Sequence, residues 1–364
     1  MLKDRDQKGK ALQYCISKRW FPQMEVDVHP PHAVGKRAVL MTDLDLLASI
    51  PDDFSGFRQV VIDCKTLSRE SPVNRSLWLR GLLDRMNADY GVCILKKSSI
   101  EADHKLVATR LGVVLLAEDE FDIYASAMSP LYSSTTAHTA NIDAWEHFFA
   151  IKDKYPALGS AIQFGRSSYW MQNEAGETCR KTVASLYEIR AELDPDKPEH
   201  LALVADIAAL FGRTTALLAA YLFRAYLHPR NQHELEEAVK VLLYGGRDAY
   251  EYRNQLYRLL KEKAGTEAGS EDLALPEWGR FVQLLRQLLD APTEASRAPL
   301  ILREIGFARL LGSDNFSFAK TLCKESPQAG RFAVLILSYL QKAAKLPADF
   351  STHLEKTLLS LLGN

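Results

Sequence analysis

Hydrophobic and polar positions change period twice along this chain. Residues 6–19 carry a helical stripe of Leu12, Cys15, Ile16 and Arg19, with Lys10, Gln13 and Ser17 on the more polar side. Residues 23–28 (QMEVDV) alternate with period two, as a half-buried strand does. After the turn-rich HPPHAVGK, residues 37–49 (RAVLMTDLDLLAS) are rich in strand formers and run up to Pro51. Residues 58–63 (RQVVID) are a short apolar run of the kind that fills a buried strand. The helical period returns over 76–88, where Leu79, Leu82, Leu83 and Met86 share a face opposite Arg80, Asp84 and Asn87. Residues 90–95 (YGVCIL) predict another buried strand, 104–111 a helix and 113–117 a last short strand.

Past this α/β stretch the character shifts. The segment SPLYSSTTAHTA reads as a linker over 128–140, and nearly everything beyond it has helical period. Helices are predicted near 141–153, 180–193, 198–211, 213–227, 232–244, 247–264, 277–290, 297–312, 328–345 and 350–362. The expected organisation is an α/β unit over 1–127, in which helices flank a mixed sheet, then the linker, then an all-α region over 141–364. A polar break near 264–274 divides that region. The most apolar run, 216–223, is bounded by Arg213 and Arg224 and is far shorter than the roughly 20 residues a membrane-spanning helix needs. It predicts a buried core helix and no membrane partner.

Composition narrows the chemistry. The net charge is −1 and 47% of residues are hydrophobic, an ordinary globular balance. Acids and bases also balance within 1–125, so any nucleic-acid contact has to come from a local patch. The five cysteines (Cys15, Cys64, Cys93, Cys179, Cys323) are scattered and form no CxxC pair. They argue against a cysteine zinc site and for a reducing, cytoplasmic setting. The charged start, MLKDRDQKGK, has no apolar stretch of the signal-peptide kind.

The chemically informative text is Asp43-Leu44-Asp45 and Asp63-Cys64-Lys65. Each sits in or at the end of a predicted strand, and the short connection makes the two strands antiparallel neighbours. Their acids can then converge at one edge of the sheet. Hard oxygen ligands of this kind hold Mg²⁺ or Mn²⁺ beside a phosphate, and a nearby lysine can orient or help deprotonate a water and stabilise the phosphate. The tripeptide [DE]xK alone has little weight, since it occurs three times (Asp6–Lys8, Asp63–Lys65, Asp103–Lys105). Only the second closes an apolar strand and follows a strand with its own acid. Asp43 and Asp45 share a strand face, and either could serve.

TDLDLLA, VVIDCKT, a helix and then GVCIL together resemble the PD-(D/E)xK, or restriction-endonuclease-like, nuclease superfamily over roughly residues 6–117. The resemblance implies a restriction-endonuclease-like fold and a metal-dependent endonuclease, with DNA favoured over RNA as substrate. It implies Asp45 and Asp63 as metal ligands with the Cys64 backbone carbonyl, Lys65 as the catalytic lysine, and Mg²⁺ or Mn²⁺ as cofactor. Many members also place a glutamate on the first helix. Here none lies between Lys8 and Gln23, which leaves Gln13, Ser17 or Glu25 as auxiliary candidates beside Asp43. A small nuclease joined to a helical module suggests, by analogy, prokaryotic antiviral defence, and the balanced charge suggests a partner protein or a homo-oligomer. A non-catalytic nuclease-like scaffold and an RNA-directed nuclease are the competing readings.

Weaker signals each have a plain alternative. Arg69, Arg75, Arg80 and Arg85 follow the DCK text. Arg75 and Arg80 read either as a phosphate clamp at a helix start or as a solvated face with an Arg80–Asp84 pair. Lys96 and Lys97 read as backbone contacts or as a charged strand exit. His29 and His32 read as loop residues. The spacings Arg224–His228 and Arg230–His233 fall short of the Arg-x(4–6)-His motif of HEPN ribonucleases. Tyr169, Trp170, Tyr250, Tyr252 and Tyr257 could stack on bases but read first as packing. Tyr244-Gly-Gly-Arg247 reads as a helix end and turn.

Overall fold

The structure, a computed structural model, describes residues 2–30, 39–53, 56–66, 71–172, 174–263 and 272–363. His32, Arg69 and most of the polar stretch 264–274 lie outside the described residues.

The N-terminal part runs α1 (Arg5–Ser17), β1 (Phe21–Val28), β2 (Thr42–Asp52), β3 (Gly56–Lys65), α2 (Pro72–Met86), β4 (Tyr90–Leu95), α3 (Ala102–Arg110), β5 (Val113–Ala117) and α4 (Glu118–Met128). The five strands form one mixed sheet in the order β1-β2-β3-β4-β5. β2 is antiparallel to both neighbours, whereas β3, β4 and β5 are mutually parallel. The parallel steps require crossovers, and α2 and α3 supply them. Helix α1 packs against β1, β2 and β3, and α2 against β4 and β5. The expected stripe of Leu12, Cys15 and Ile16 is fully buried, as are Leu79 and Leu83 of α2.

Local chemistry explains the element ends. Ser71 caps α2 by accepting from the Asn74 N–H at 3.4 Å, and Pro72 takes the first turn, where its missing N–H costs nothing. Asn87 closes the helix in a left-handed conformation (φ 50°). β2 begins at Thr42 rather than near 37, because β1 pairs with it only from Val28↔Thr42 onward. It also runs through Pro51, which the sequence reading took as its end. The β1 ladder stops at Phe21↔Ser49, so Pro51 sits where β2 has lost that neighbour.

The helical part comprises α5 (Ile142–Lys154), α6 (Gly159–Gln163) running into a π-helical turn (Phe164–Ser168), α7 (Ala175–Ile189), α8 (Pro198–Tyr226), α9 (Gln232–Tyr244) and α10 (Arg247–Lys263). It continues with α11 (Trp278–Leu289), α12 (Pro292–Ala295), α13 (Ala298–Leu310), α14 (Ser317–Glu325), α15 (Pro327–Ala343) and α16 (Asp349–Leu362). The two helices expected at 198–211 and 213–227 are one, α8. Gly212 lies within it, against Ile336 and Leu302, and acts as a close-packing point rather than a break. The most apolar window of α8 is 94% buried inside the fold, packed by α7, α11, α13 and α15. Gly245 (φ 84°) and Gly246 (φ 110°) make the turn expected after α9. The sequence pattern predicts none of α4, α6, α12 and α14.

The helices are fastened to the sheet. Arg303 of α13, fully buried, pairs with Asp206 of α8 at 2.6 Å and donates to the Pro22 carbonyl and, at 2.9 Å, to Gln23 Oε1 in β1. The Ser/Thr-rich segment 128–140 is packed as well. Tyr132 and Thr139 are buried, and Glu304 of α13 accepts from the backbone N–H groups of His138 and Thr139 at 2.8 and 2.9 Å.

Candidate active site

Strand register assembles the acids. β2 and β3 pair Leu46↔Ile62, and one further step sets Asp45 across from Asp63. β1 and β2 pair Met24↔Leu46 and Val26↔Leu44, so Glu25 lies across from Asp45. β3 and β4 pair Asp63↔Cys93. Glu25, Asp45, Asp63 and Cys93 therefore form one row across four strands. Two residues past Asp63, Lys65 returns to the same face.

Both aspartates are 3% exposed, and each is held by cations. The Lys65 ammonium stands 3.6 Å from Asp45 Oδ2 and 3.6 Å from Asp63 Oδ1, between the two carboxylates. Asp45 also accepts from the Cys64 backbone N–H at 2.7 Å. Arg75, from the first turn of α2, clamps Asp63 through Nε (2.6 Å) and Nη2 (2.5 Å), and its guanidinium lies 3.5 Å from the centre of the Trp78 ring. The Cys93 thiol completes the Asp63 environment at 3.6 Å.

Helix α1 contributes a residue that the sequence reading missed. Lys8 is 1% exposed, and its ammonium bonds Asp45 Oδ1 at 2.9 Å and Glu25 Oε1. It lies on the helix where the resemblance implies an acid, ahead of Gln13 and Ser17, the positions considered for one. Its only sequence signal was the discarded match Asp6–Lys8. Gln7, beside it, donates to the Lys65 carbonyl at 3.4 Å, and its Oε1 is buried with no partner among the described residues. Glu25 holds a left-handed backbone (φ 53°), an unusual conformation for a non-glycine residue within a strand.

Three carboxylates (Glu25, Asp45, Asp63) thus face three cations (Lys8, Lys65, Arg75). Burial pushes the Asp45 carboxyl above its ordinary value, and Lys8 and Lys65 pull it back only in part. Glu25 is raised the same way, with burial outweighing its bond to Lys8. For Lys65, burial pulls downward, but Asp45 and Asp63 outweigh it and the net shift is upward. Lys8 likewise ends above its ordinary value, because Asp45 and Glu25 overcome its burial. Both lysines are ammonium ions near neutral pH.

The other sequence candidates lie elsewhere or act otherwise. Gln13 donates to the carbonyls of Tyr132 and Thr135 at 2.8 and 2.7 Å, and Ser17 bonds Ser129 at 2.9 Å, so both secure the segment after α4. Asp43 is exposed, across from Asp27. Arg80 pairs with Asp84 on the surface of α2, in its plain reading. Lys96 is exposed next to the site, where its backbone N–H donates to the Lys65 carbonyl at 2.8 Å; Lys97 follows it, half-buried. His29 bonds the Val39 carbonyl at 2.9 Å. Tyr169 and Trp170 are buried, and Tyr250 is 8% exposed.

Asp45 and Asp63 are oxygen donors of the kind a hard divalent ion takes. Two buried carboxylates converge on one cationic position, now filled by the Lys65 ammonium, and an unpartnered amide oxygen (Gln7 Oε1) lies at the same strand end. Among the described residues no group of three or more His, Cys, Asp or Glu side chains is gathered for a metal. A Mg²⁺ here would keep several waters, as that ion commonly does. No protein-family model, curated protein or solved structure matches this chain.

Proposed function

We propose that the chain is a metal-dependent endonuclease of the PD-(D/E)xK, restriction-endonuclease-like class, acting on DNA. The observation that carries this reading is the meeting of Asp45, Asp63 and Lys65 at the adjacent ends of β2 and β3. The sheet is built in the helix–three-strand–helix–strand order that the resemblance implies. Asp45, Asp63 and the Cys64 carbonyl would hold Mg²⁺ or Mn²⁺. The ion would supply an acidified water and charge stabilisation at the scissile phosphate.

The chain's own residues divide the remaining work. Lys65, kept as an ammonium by the two aspartates, orients the water or the phosphate and offsets developing negative charge; it is not the base. Lys65 also occupies the cationic position, so loading requires its side chain, 25% exposed, to swing outward. Arg75 and the Cys64 N–H fix the two carboxylates against rotation. Lys96, exposed beside Lys65, would meet the nucleic-acid backbone.

One feature favours a second reading, a nuclease-like scaffold without catalysis: every carboxylate of the row already has a cationic partner. Incubating supercoiled plasmid with Mg²⁺ or Mn²⁺, beside an Asp63→Ala, Lys65→Ala double variant, separates the two. Nicking or linearisation by the wild type alone supports the endonuclease. A parallel RNA substrate decides the polymer. Inactivity with both metals, together with no heat of Mn²⁺ binding by calorimetry, overturns the endonuclease in favour of the scaffold.

A further inference from the structure

At the other end of β3, the sheet and the helical part border a partly open cavity of about 660 Å³. Its walls come from the start of β3, the C-terminal end of α2, the start of α7 with the residues before it, and the second half of α8. Gln59 and Asp63 are four residues apart on one strand, so the cavity lies on the order of 13 Å from the aspartate row. It shares no lining residue with that site.

Three arginines line the cavity, and among the described residues none is paired with a carboxylate. Arg213 is 6% exposed. Its Nε donates to Ser49 Oγ at 2.8 Å, and its guanidinium sits among the rings of Phe57, Tyr169 and Trp170, 4.8–5.8 Å from their centres. Arg85 donates Nη2 to the His29 carbonyl at 2.8 Å and to Met171 Sδ at 3.6 Å, while its Nε is buried with no partner among the described residues. Arg224 stands exposed at the rim and donates to the Ala220 carbonyl at 3.4 Å. The acid in the lining, Asp89, accepts from the Gln59 backbone N–H at 2.7 Å. Gln59 Oε1 is another buried atom without a partner among the described residues.

A buried guanidinium without a counter-charge is costly unless something anionic answers it. The aromatic rings around Arg213 offset part of that cost, and Arg224 is exposed and lies 5.0 Å from the centre of the Tyr221 ring, which leaves half-buried Arg85, with its unpartnered Nε, as the least compensated of the three among the described residues. Guanidinium forks match phosphate oxygens in a bidentate manner. The volume is much larger than inorganic phosphate needs and is typical of small-molecule sites. The free Gln59 amide oxygen offers an acceptor for an N–H or O–H of the same ligand.

We infer that this cavity binds a phosphate ester of nucleotide size, with Arg85, Arg213 and Arg224 holding the phosphate groups. The ligand is a free nucleotide rather than a nucleic-acid end, because Arg213 is buried and Arg85 half-buried, set back from the exposed lining residues Asn87, Asp89, Tyr221 and Arg224.

Isothermal titration calorimetry of the full chain, in EDTA so that no metal loads the aspartate row, tests this. The probes are ATP, AMP, inorganic phosphate, adenosine and a 5′-phosphorylated oligonucleotide. The expected result is saturable binding of ATP and AMP, weaker binding of phosphate and none of adenosine. Affinity should fall at least about tenfold in the rim variant Arg224→Gln and further in Arg85→Gln, Arg224→Gln, and stay unchanged in Asp63→Ala. No binding of any phosphorylated probe, equal binding of adenosine and AMP, unaltered affinity in the double variant, or a clear preference for the oligonucleotide would each overturn it.

Discussion

Replacing Lys8 by methionine tests the charge balance of the aspartate row directly. Methionine keeps most of the stem volume, so the packing loss stays below about 1.5 kcal/mol. The electrostatic loss is larger. Glu25 loses the ammonium it bonds, and Asp45 keeps only Lys65 at 3.6 Å and the Cys64 N–H at 2.7 Å. Removing one member of a buried pair costs about 3–5 kcal/mol, so Lys8→Met should cost about 4 kcal/mol near neutral pH. The sign of the pH dependence follows from the direction of the shifts. Asp45 and Glu25 are raised in the folded chain, so there it holds more protons than the unfolded chain between the ordinary and the raised values. Stability attributable to these two groups therefore falls as pH rises through that window. Without Lys8 both groups rise further and the window widens. Lys8 itself is raised, so its own contribution is complete below the ordinary lysine value and is lost only at strongly alkaline pH. Urea unfolding followed by far-UV circular dichroism at about pH 4.5 and about pH 8 measures the effect. The penalty of Lys8→Met should shrink at the lower pH to the packing loss, and adding Glu25→Gln should recover about 1–2 kcal/mol at the higher one. A penalty under about 1 kcal/mol at pH 8, or one independent of pH, refutes the account of the row as a buried, mutually compensating set.

Two further perturbations probe the frame around the row. Arg303→Met leaves Asp206 buried without its partner and releases the tie to β1. It should cost about 3–5 kcal/mol in urea unfolding, whereas Arg303→Met with Asp206→Leu should recover most of that; equal losses in the two would contradict the pairing. Gly176→Ala places a Cβ 2.3 Å from the Leu242 carbonyl oxygen and 2.6 Å from Leu243 Cα, both backbone atoms that cannot step aside. It should destabilise by about 1–3 kcal/mol through the α7–α9 contact, and an unchanged urea midpoint would show that the two helices part without cost.

Residues close in sequence carried most of what could be read in advance. Asp45 and Asp63 belong to strands joined by a short connection, so alternation and register alone bring them together. The strands 90–95 and 113–117 were readable at their full length for a similar reason: each is a continuous apolar run between polar ends. The ends of β2 were not, because they depend on where β1 stops pairing. Helix α4 begins with three consecutive acids, its Glu120 caps its own start, and Phe121, Tyr124, Ala125 and Met128 stand at helical spacing, local signals that the sequence reading passed over. The helices read as 198–211 and 213–227 are continuous because tertiary packing at Gly212 overrides its low helix propensity.

Two of the row's three cations, Lys8 and Arg75, were hidden in these roles for a different reason. Lys8 lies 37 residues before Asp45 in sequence and Arg75 lies 12 after Asp63, and each reaches its partner only through the docking of a helix on the sheet. In one dimension both look like solvated charges, the commonest fate of lysine and arginine. Their burial changes the chemical question. A site of bare carboxylates would be an acidic cluster waiting for a metal, whereas this row is already neutral. A divalent ion entering it must therefore displace a positive charge, and Lys65 is the one that can leave, since Lys8 is sealed beneath α1 and Arg75 is clamped to Asp63 and stacked on Trp78. Displaced outward, the Lys65 ammonium moves toward the side from which a phosphodiester would approach, beside exposed Lys96. Metal loading and substrate attraction would then be one movement of a single side chain, and Lys65→Met should tighten Mn²⁺ binding in calorimetry while abolishing cleavage. Weaker Mn²⁺ binding in that variant would show that Lys65 supports the ion rather than holding its place.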